Sequence, residues 1–110
     1  MKSLISALAL LACFSAYGQQ APKLNERLLK EALEEELKDS DSAKIKDMRY
    51  KPDGAGLWLM CGRVNAKNSY GAYAGYQRFS GVVVKEGQQI KYLVLALGEI
   101  AEGYCQSKGM

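Results

Sequence analysis

The start of the chain restricts the rest of it most strongly, because it has the form of an export signal. A short basic start is followed by an apolar run from Leu4 to Phe14, and small residues occupy Ala16 and Gly18. This order is typical of a secretory signal peptide that is cleaved before Gln19. The apolar run is too short for a permanent membrane span. We therefore predict a signal peptide over residues 1–18 and a periplasmic or secreted product.

The positions of the cysteines add the next constraint. Cleavage of the signal peptide removes Cys13 and leaves Cys61 and Cys105 in an oxidising compartment. Two cysteines in a small exported domain most simply form one disulfide, with two free thiols as the alternative. The bond would close a long loop and restrict the unfolded chain by roughly 4 kcal/mol. We predict this disulfide within a single domain over residues 19–110, because that length leaves no room for two domains.

The same leading segment has a second interpretation, as the signal of a lipoprotein. The four residues that end at Cys13 resemble a lipobox, in which a small residue precedes a cysteine that is lipidated after cleavage. The protein would then be a structural lipoprotein tethered to a membrane through Cys13. The bulky Phe14 and the well-formed cleavage site at Ala16 and Gly18 favour the untethered product. Either cleavage leaves the other two cysteines to pair.

The mature part of the chain has a helical region followed by an extended region. Between Leu24 and Lys38 the leucines recur at helical spacing, and charged residues occupy the opposite side. Strand-like segments separated by turns follow at residues 45–51, 57–64, 73–84 and 90–97. A sheet gives the helix a surface on which to bury its apolar side. We predict an α+β fold with one N-terminal amphipathic helix, packed on an antiparallel sheet of about four strands and stapled by one disulfide.

The lack of histidine and the expected pairing of the cysteines exclude several reactions. The chain contains no histidine, which excludes a Ser–His–Asp triad, a Cys–His pair and histidine-based zinc sites. Paired cysteines would remove thiol catalysis and thiolate metal sites as well. Glu99 and Glu102 could form the acid and base of a small carboxylate-dependent hydrolase, but surface charge is the more common role of such a pair. We therefore predict no enzyme activity, no cofactor and no metal.

The segment between the second and third predicted strands differs from the rest in composition. Four aromatic residues recur at every third position, a spacing that fits neither a strand nor a helix with two glycines: Tyr70, Tyr73, Tyr76 and Phe79. Tyrosines flanked by Asn, Ser and Gly are typical of binding loops. We predict that the loop 65–70 and the neighbouring arginine form a binding surface made by Asn65, Lys67, Asn68, Ser69, Tyr70 and Arg78. Packing in the core is the favoured role of Tyr73 and Phe79.

Part of the chain resembles a known group of proteins. The likeness covers Leu37 to Phe79 together with Cys105, and its most specific part is the run Asn65-Ala66-Lys67-Asn68-Ser69-Tyr70-Gly71. These residues are similar to those of a family of small exported proteobacterial proteins, some of them carried by prophages. The family commonly has proline where this chain has Ser40, so we expect a looser turn there. The resemblance implies export and the fold, and it transfers no catalytic residue.

Three functions are compatible with these features. The one we predict is a small exported binding module, for example an inhibitor or immunity-type protein, whose loop 65–70 engages an envelope protein or glycan. The alternatives are the lipoprotein lipidated at Cys13 and the carboxylate-dependent hydrolase. The mature chain is only slightly basic, so we predict no nucleic-acid partner, and a membrane partner only if Cys13 is lipidated.

Overall fold

A computed structural model describes residues 20–34, 36, 37 and 39–110 of the chain. Its four strands form one antiparallel sheet in which each strand pairs with the next along the chain: β1 (Lys44–Pro52), β2 (Leu57–Asn65), β3 (Gln77–Glu86) and β4 (Gln89–Leu97). Two helices flank the strands in sequence, α1 (Glu26–Leu33) and α2 (Glu99–Ser107). The predicted antiparallel sheet of four strands is confirmed.

Helix α1 is shorter than the predicted segment from Leu24 to Lys38. Asn25 caps its first turn, because the side-chain oxygen accepts a hydrogen bond from the Leu28 amide at 3.2 Å. The fully buried Leu29 and Leu33 point into the main core, whose other buried residues are Ala43, Trp58, Met60, Val64, Phe79, Val83 and Tyr92. At the end of the helix the amide of Glu34 bonds back by only three residues, at 3.2 Å to the Glu31 carbonyl, and this tightens the last turn.

Helix α2 corrects the prediction of a single helix. It follows Gly98, whose φ of 79° lets the chain turn sharply out of β4. In α2 the buried residues are Ala101 and Cys105. Cys105 forms a disulfide with Cys61 of β2, at a Cα–Cα distance of 6.2 Å. The predicted disulfide is thus confirmed, and it fastens α2 to the sheet.

The two helices cover opposite faces of the sheet. Neighbouring residues of a strand point to opposite sides, so β2 directs Met60 to one face and Cys61 to the other. We call the face with Met60 the α1 face, because it contains the core under α1, and the face with Cys61 the α2 face. On the α1 face the ring of Phe79 lies over Gly62, where a Cβ atom would come within 3 Å of the ring.

A bulge in β1 determines which of its side chains reach each face. Lys46 pairs with Arg63 and Arg49 pairs with Cys61, so Asp47 and Met48 together occupy the place of one residue. Asp47 takes a left-handed φ of 55°. As a result the strand presents alternating groups on the two faces: its apolar residues Ile45, Met48 and Tyr50 pack against the core, and its basic residues Lys44, Lys46, Arg49 and Lys51 lie on the α2 face.

Candidate functional site

The loop between β2 and β3 is shaped by the side chain of one asparagine. The Oδ1 atom of Asn68 accepts hydrogen bonds from the amides of Tyr70 at 2.9 Å and Ala72 at 3.2 Å. The Asn68 amide in turn donates to the Ala72 carbonyl at 2.8 Å. Such bonds from an asparagine to its own backbone fix a tight turn. The turn projects Tyr70 outward, so that 94% of its surface is exposed.

Three further contacts fasten the base of this loop to the body of the protein. The amide of Gly75 donates to Oδ1 of Asn65 at 3.1 Å. The Lys67 amide donates to the Ser42 hydroxyl at 3.0 Å, and the Tyr73 hydroxyl donates to the Ser42 carbonyl at 3.0 Å. Lys67 and Tyr73 also form a β-bridge with each other. The loop is therefore held at both its base and its tip.

Two tyrosines of the loop contact lysines of β1 rather than the core. The ammonium of Lys44 lies 4.4 Å from the ring centre of Tyr73, and that of Lys46 lies 4.0 Å from the ring centre of Tyr76. Both are cation–π contacts. Tyr73 is 40% exposed, so the prediction that it packs in the core is wrong, whereas the fully buried Phe79 is a core residue as predicted. Two lysines missing from the predicted site thus belong to this surface.

A depression lies beside the loop. It has a volume of about 260 Å³, and its lining residues come from the loop, the start of β3 and the segment after α1: Glu36, Leu37, Ala66, Lys67, Asn68, Ser69, Ala74, Gly75 and Gln77. Three of the predicted binding residues, Lys67, Asn68 and Ser69, are therefore brought together around it. Five of the nine lining residues carry amide, hydroxyl or charged groups, which orient ligands by hydrogen bonding, although more of the exposed surface is apolar than polar.

The structure does not place Arg78 on this surface. Its side chain is only 10% exposed, with Nη1 3.6 Å from the Glu102 carboxylate. Its Nη2 donates to the main-chain oxygen of Met110. Arg78 is close to the loop in sequence, but the alternation of β3 turns it toward α2, and the helix and the residues after it cover the guanidinium.

The two candidate acid–base residues lie on α2. Glu99 is exposed in the first turn. Glu102 is placed between two guanidinium groups, at 3.6 Å from Arg78 and 3.9 Å from Arg63. Arg63 also lies 3.7 Å from Asp47. This cluster of charges links α2 to β1, β2 and β3, and such ion-pair networks commonly serve a structural role.

Cys13 and the predicted signal peptide lie outside the described residues. Within the described part of the chain, no helix is long and apolar enough to cross a membrane. In the same residues, no three or more potential metal ligands form a group.

Comparisons of the chain with known protein families, curated proteins and solved structures find no match. The resemblance to small exported proteobacterial proteins therefore stays a prediction.

Proposed function

We propose that the protein is a small exported binding module that recognises a glycan of the cell envelope through the loop 65–70. The observation that carries this proposal is Tyr70, a large aromatic side chain that is 94% exposed at the tip of a loop held by hydrogen bonds. An ordered loop loses little conformational entropy when it binds a ligand. An exposed tyrosine offers both an apolar ring and a hydroxyl to a partner.

The depression near Tyr70 combines hydrogen-bonding side chains with apolar surface, a combination that suits a glycan as the ligand. A protein interface is usually anchored by apolar side chains that fill well-packed pockets. Here the polar side chains of Lys67, Asn68 and Ser69 share the depression with apolar residues such as Leu37, Ala66 and Ala74, and its volume of about 260 Å³ suits one sugar-sized group. A sugar could be held there by hydrogen bonds while a neighbouring unit of the chain stacks on the Tyr70 ring.

The proposal is tested with Tyr70→Ala and a matched control. The control is Tyr104→Ala, which removes another exposed tyrosine, located on α2. Binding of purified envelope polysaccharide is measured by calorimetry for both variants and for the unchanged protein. Loss of a hot-spot side chain typically costs 2 kcal/mol or more, so we expect roughly 30-fold weaker binding for Tyr70→Ala only. Equal affinity of the two variants, with thermal midpoints unchanged, would contradict the proposal.

An envelope protein is the second candidate ligand, because exposed apolar side chains occur elsewhere on the molecule. Leu95 is 70% exposed on the edge strand β4, and Ile100 is 78% exposed on α2. An inhibitor or immunity-type protein would use such a surface. Crosslinking in the periplasm would then capture a protein that is lost with Leu95→Ser and retained with Tyr70→Ala.

We further propose that export yields a chain that begins at Gln19 and is not lipidated. The Cys61–Cys105 disulfide supports maturation in an oxidising compartment. Intact mass of the purified product distinguishes the two cleavage sites. A diacylglyceryl group on Cys13 would instead favour the membrane-tethered lipoprotein. A binding role rather than a catalytic one is proposed, since Glu102 is engaged by two arginines.

A further inference from the structure

Four basic side chains form a row along the edge strand β1. All are exposed and all lie on the α2 face: Lys44, Lys46, Arg49 and Lys51. We call these four residues the basic row. Their partners on β2 are every second residue of that strand, from Asn65 to Leu59. Successive members of the row are therefore about 7 Å apart, because each strand residue advances about 3.4 Å.

The bulge in β1 is what makes this row continuous. If these residues alternated strictly with no bulge at Asp47 and Met48, Arg49 and Lys51 would point toward the core. In the structure Met48 packs against the core instead, and both basic residues stay on the outer side with Lys46. The strand thus keeps four cations in register on one face.

The charges of the basic row are not neutralised within the described residues. No carboxylate of the described chain lies at ion-pair distance from any of the four, since Asp47 and Glu102 pair with arginines outside the row. Lys51 donates a hydrogen bond to the Lys108 carbonyl at 3.1 Å, which leaves its positive charge in place. The row is therefore locally positive, although the net charge of the whole chain is small.

The basic row continues into the loop between β2 and β3, where we propose that the glycan binds. Lys44 and Lys46 are the two lysines that lie over Tyr73 and Tyr76, so the loop holds one end of the row in place. Lys67, which lines the depression, lies 5.9 Å from the ring centre of Tyr73 and joins the two regions. A polysaccharide that is bound at Tyr70 could therefore extend along β1.

We propose that the basic row binds an acidic polysaccharide, whose repeated carboxylates pair with Lys44, Lys46, Arg49 and Lys51. This inference rests on the proposed function and names its ligand class. Regularly spaced cations on a rigid strand are complementary to a polymer with regularly repeated negative charge, and such complementarity also attracts the ligand from a distance.

Two other acidic polymers fit the surface less well. An acidic protein segment would add to β1 as a new strand, but the bulge at Asp47 and the proline at Pro52 interrupt the edge. A single-stranded nucleic acid would stack its bases on open aromatic rings. Lysines already lie over the rings of Tyr73 and Tyr76, which leaves Tyr70 as the tyrosine of the loop between β2 and β3 whose ring is open for stacking.

The experiment compares polygalacturonate with the same polymer after complete methyl esterification, which removes the charge and keeps the sugars. Binding of the full mature protein is measured by calorimetry at low salt. Contacts to exposed charges are individually weak but add up, so we expect about tenfold or more tighter binding to the acidic polymer. The triple variant Lys44→Gln, Lys46→Gln, Arg49→Gln should bind both polymers alike.

A charge-matched control separates the row from net charge. The variant Lys23→Gln, Lys85→Gln, Lys91→Gln removes three exposed lysines outside the row and should keep the preference for the acidic polymer. An equal loss of preference in both triple variants would overturn the inference. So would tighter binding of polyglutamate or of a single-stranded oligonucleotide than of polygalacturonate. Equal binding of the two polymers by the unchanged protein would overturn the inference as well, and this test stands even if a variant misfolds.

The outcomes also separate this inference from the proposed function. Equal, Tyr70-dependent binding of the acidic and esterified polymers would reject the role of the basic row and support a glycan-binding loop. Binding of neither polymer would reject the glycan-binding loop and the basic row together. Row-dependent binding of the acidic polymer that Tyr70→Ala leaves unchanged would reject the glycan-binding loop alone.

Discussion

The two faces of the sheet hold their helices in different ways. On the α1 face, Leu29 and Leu33 are fully buried in a core that includes Phe79 and Met60. On the α2 face, the buried residues of the helix are Ala101 and Cys105, which are small. That helix is held by the disulfide to Cys61 and by the carboxylate of Glu102 between two arginines.

This difference shows how a short helix with little apolar surface can still dock. Burial of apolar area stabilises a contact by roughly 25 cal/mol per Å², and two leucines supply far more of it than one alanine. The larger side chains of α2, Ile100 and Tyr104, are exposed. A covalent bond and an ion-pair cluster therefore replace burial as the main attachment of α2.

The largest expected effect comes from removing the disulfide with Cys61→Ser and Cys105→Ser. The free energy of unfolding should fall by about 4 kcal/mol, because the bond closes a loop with a sequence separation of 44 residues. The loss should concentrate on one face, so hydrogen exchange should show α2 unprotected while β2 and β3 stay protected. Full protection of α2 in the double variant would mean that noncovalent contacts suffice to dock this helix.

Truncation of Leu33 tests the other face. Leu33→Ala should lower the free energy of unfolding by about 2–4 kcal/mol, because it leaves a cavity under α1. Ile100→Ala is the matched control on α2, and it should change little because that side chain is 78% exposed. Urea denaturation measures both. If Leu33→Ala leaves the midpoint unchanged, burial does not hold α1 as the structure indicates.

The contrast between the faces also explains which helix could be predicted from the sequence. The leucines of α1 recur at helical spacing and face the core, so periodicity identified that helix. In α2 the large apolar residues Ile100 and Tyr104 face solvent, and Gly98 and Gly103 interrupt the pattern. The disulfide was predictable from cysteine count, but the helix that carries Cys105 was not.

The candidate site was predictable to a similar extent. The composition around Asn68 and Tyr70 predicts the loop, since Asn, Ser and Gly favour turns. The place of Lys44 and Lys46 at the site could not be predicted, because their contacts with tyrosines of the loop join segments that are distant in sequence. The bulge at Asp47 also interrupts the alternation of outward and inward residues in β1. The sequence predicts Arg78 beside the loop because the two are close in the chain, and it does not show that α2 covers the guanidinium.

Substitution of Arg78 therefore distinguishes a role in stability from a role in binding. Arg78→Ala should lower the free energy of unfolding by about 1–2 kcal/mol, since it removes one of the two charged partners of Glu102 and the donor to the Met110 main-chain oxygen. Polysaccharide binding should stay within error of the unchanged protein, the reverse of what the sequence suggests. Arg78→Lys should restore part of the stability. Weaker binding with an unchanged midpoint would instead return Arg78 to the recognition surface.

The smallest expected effect concerns a tyrosine on the α1 face. Burial of Tyr50, with a further contribution from Tyr92, raises the pKa of its hydroxyl from 10.0 to about 12. The hydroxyl has no hydrogen-bond partner in the described part of the protein. Because the pKa is higher in the folded state, ionisation favours the unfolded chain, so this contribution to stability is present below pH 10 and is lost as the pH rises toward about 12.

Tyr50→Phe isolates that contribution, because the other titrating groups remain the same in both proteins. Unfolding free energies are measured by urea denaturation near pH 9 and near pH 11. The unchanged protein should lose more stability between these two values than Tyr50→Phe does. A matched Tyr104→Phe, made on the α2 face where the ring is 36% exposed, should show the same alkaline loss as the unchanged protein. If Tyr50→Phe also shows that loss, Tyr50 ionises as readily in the folded state as in the unfolded one, and its hydroxyl is in contact with water rather than with the core.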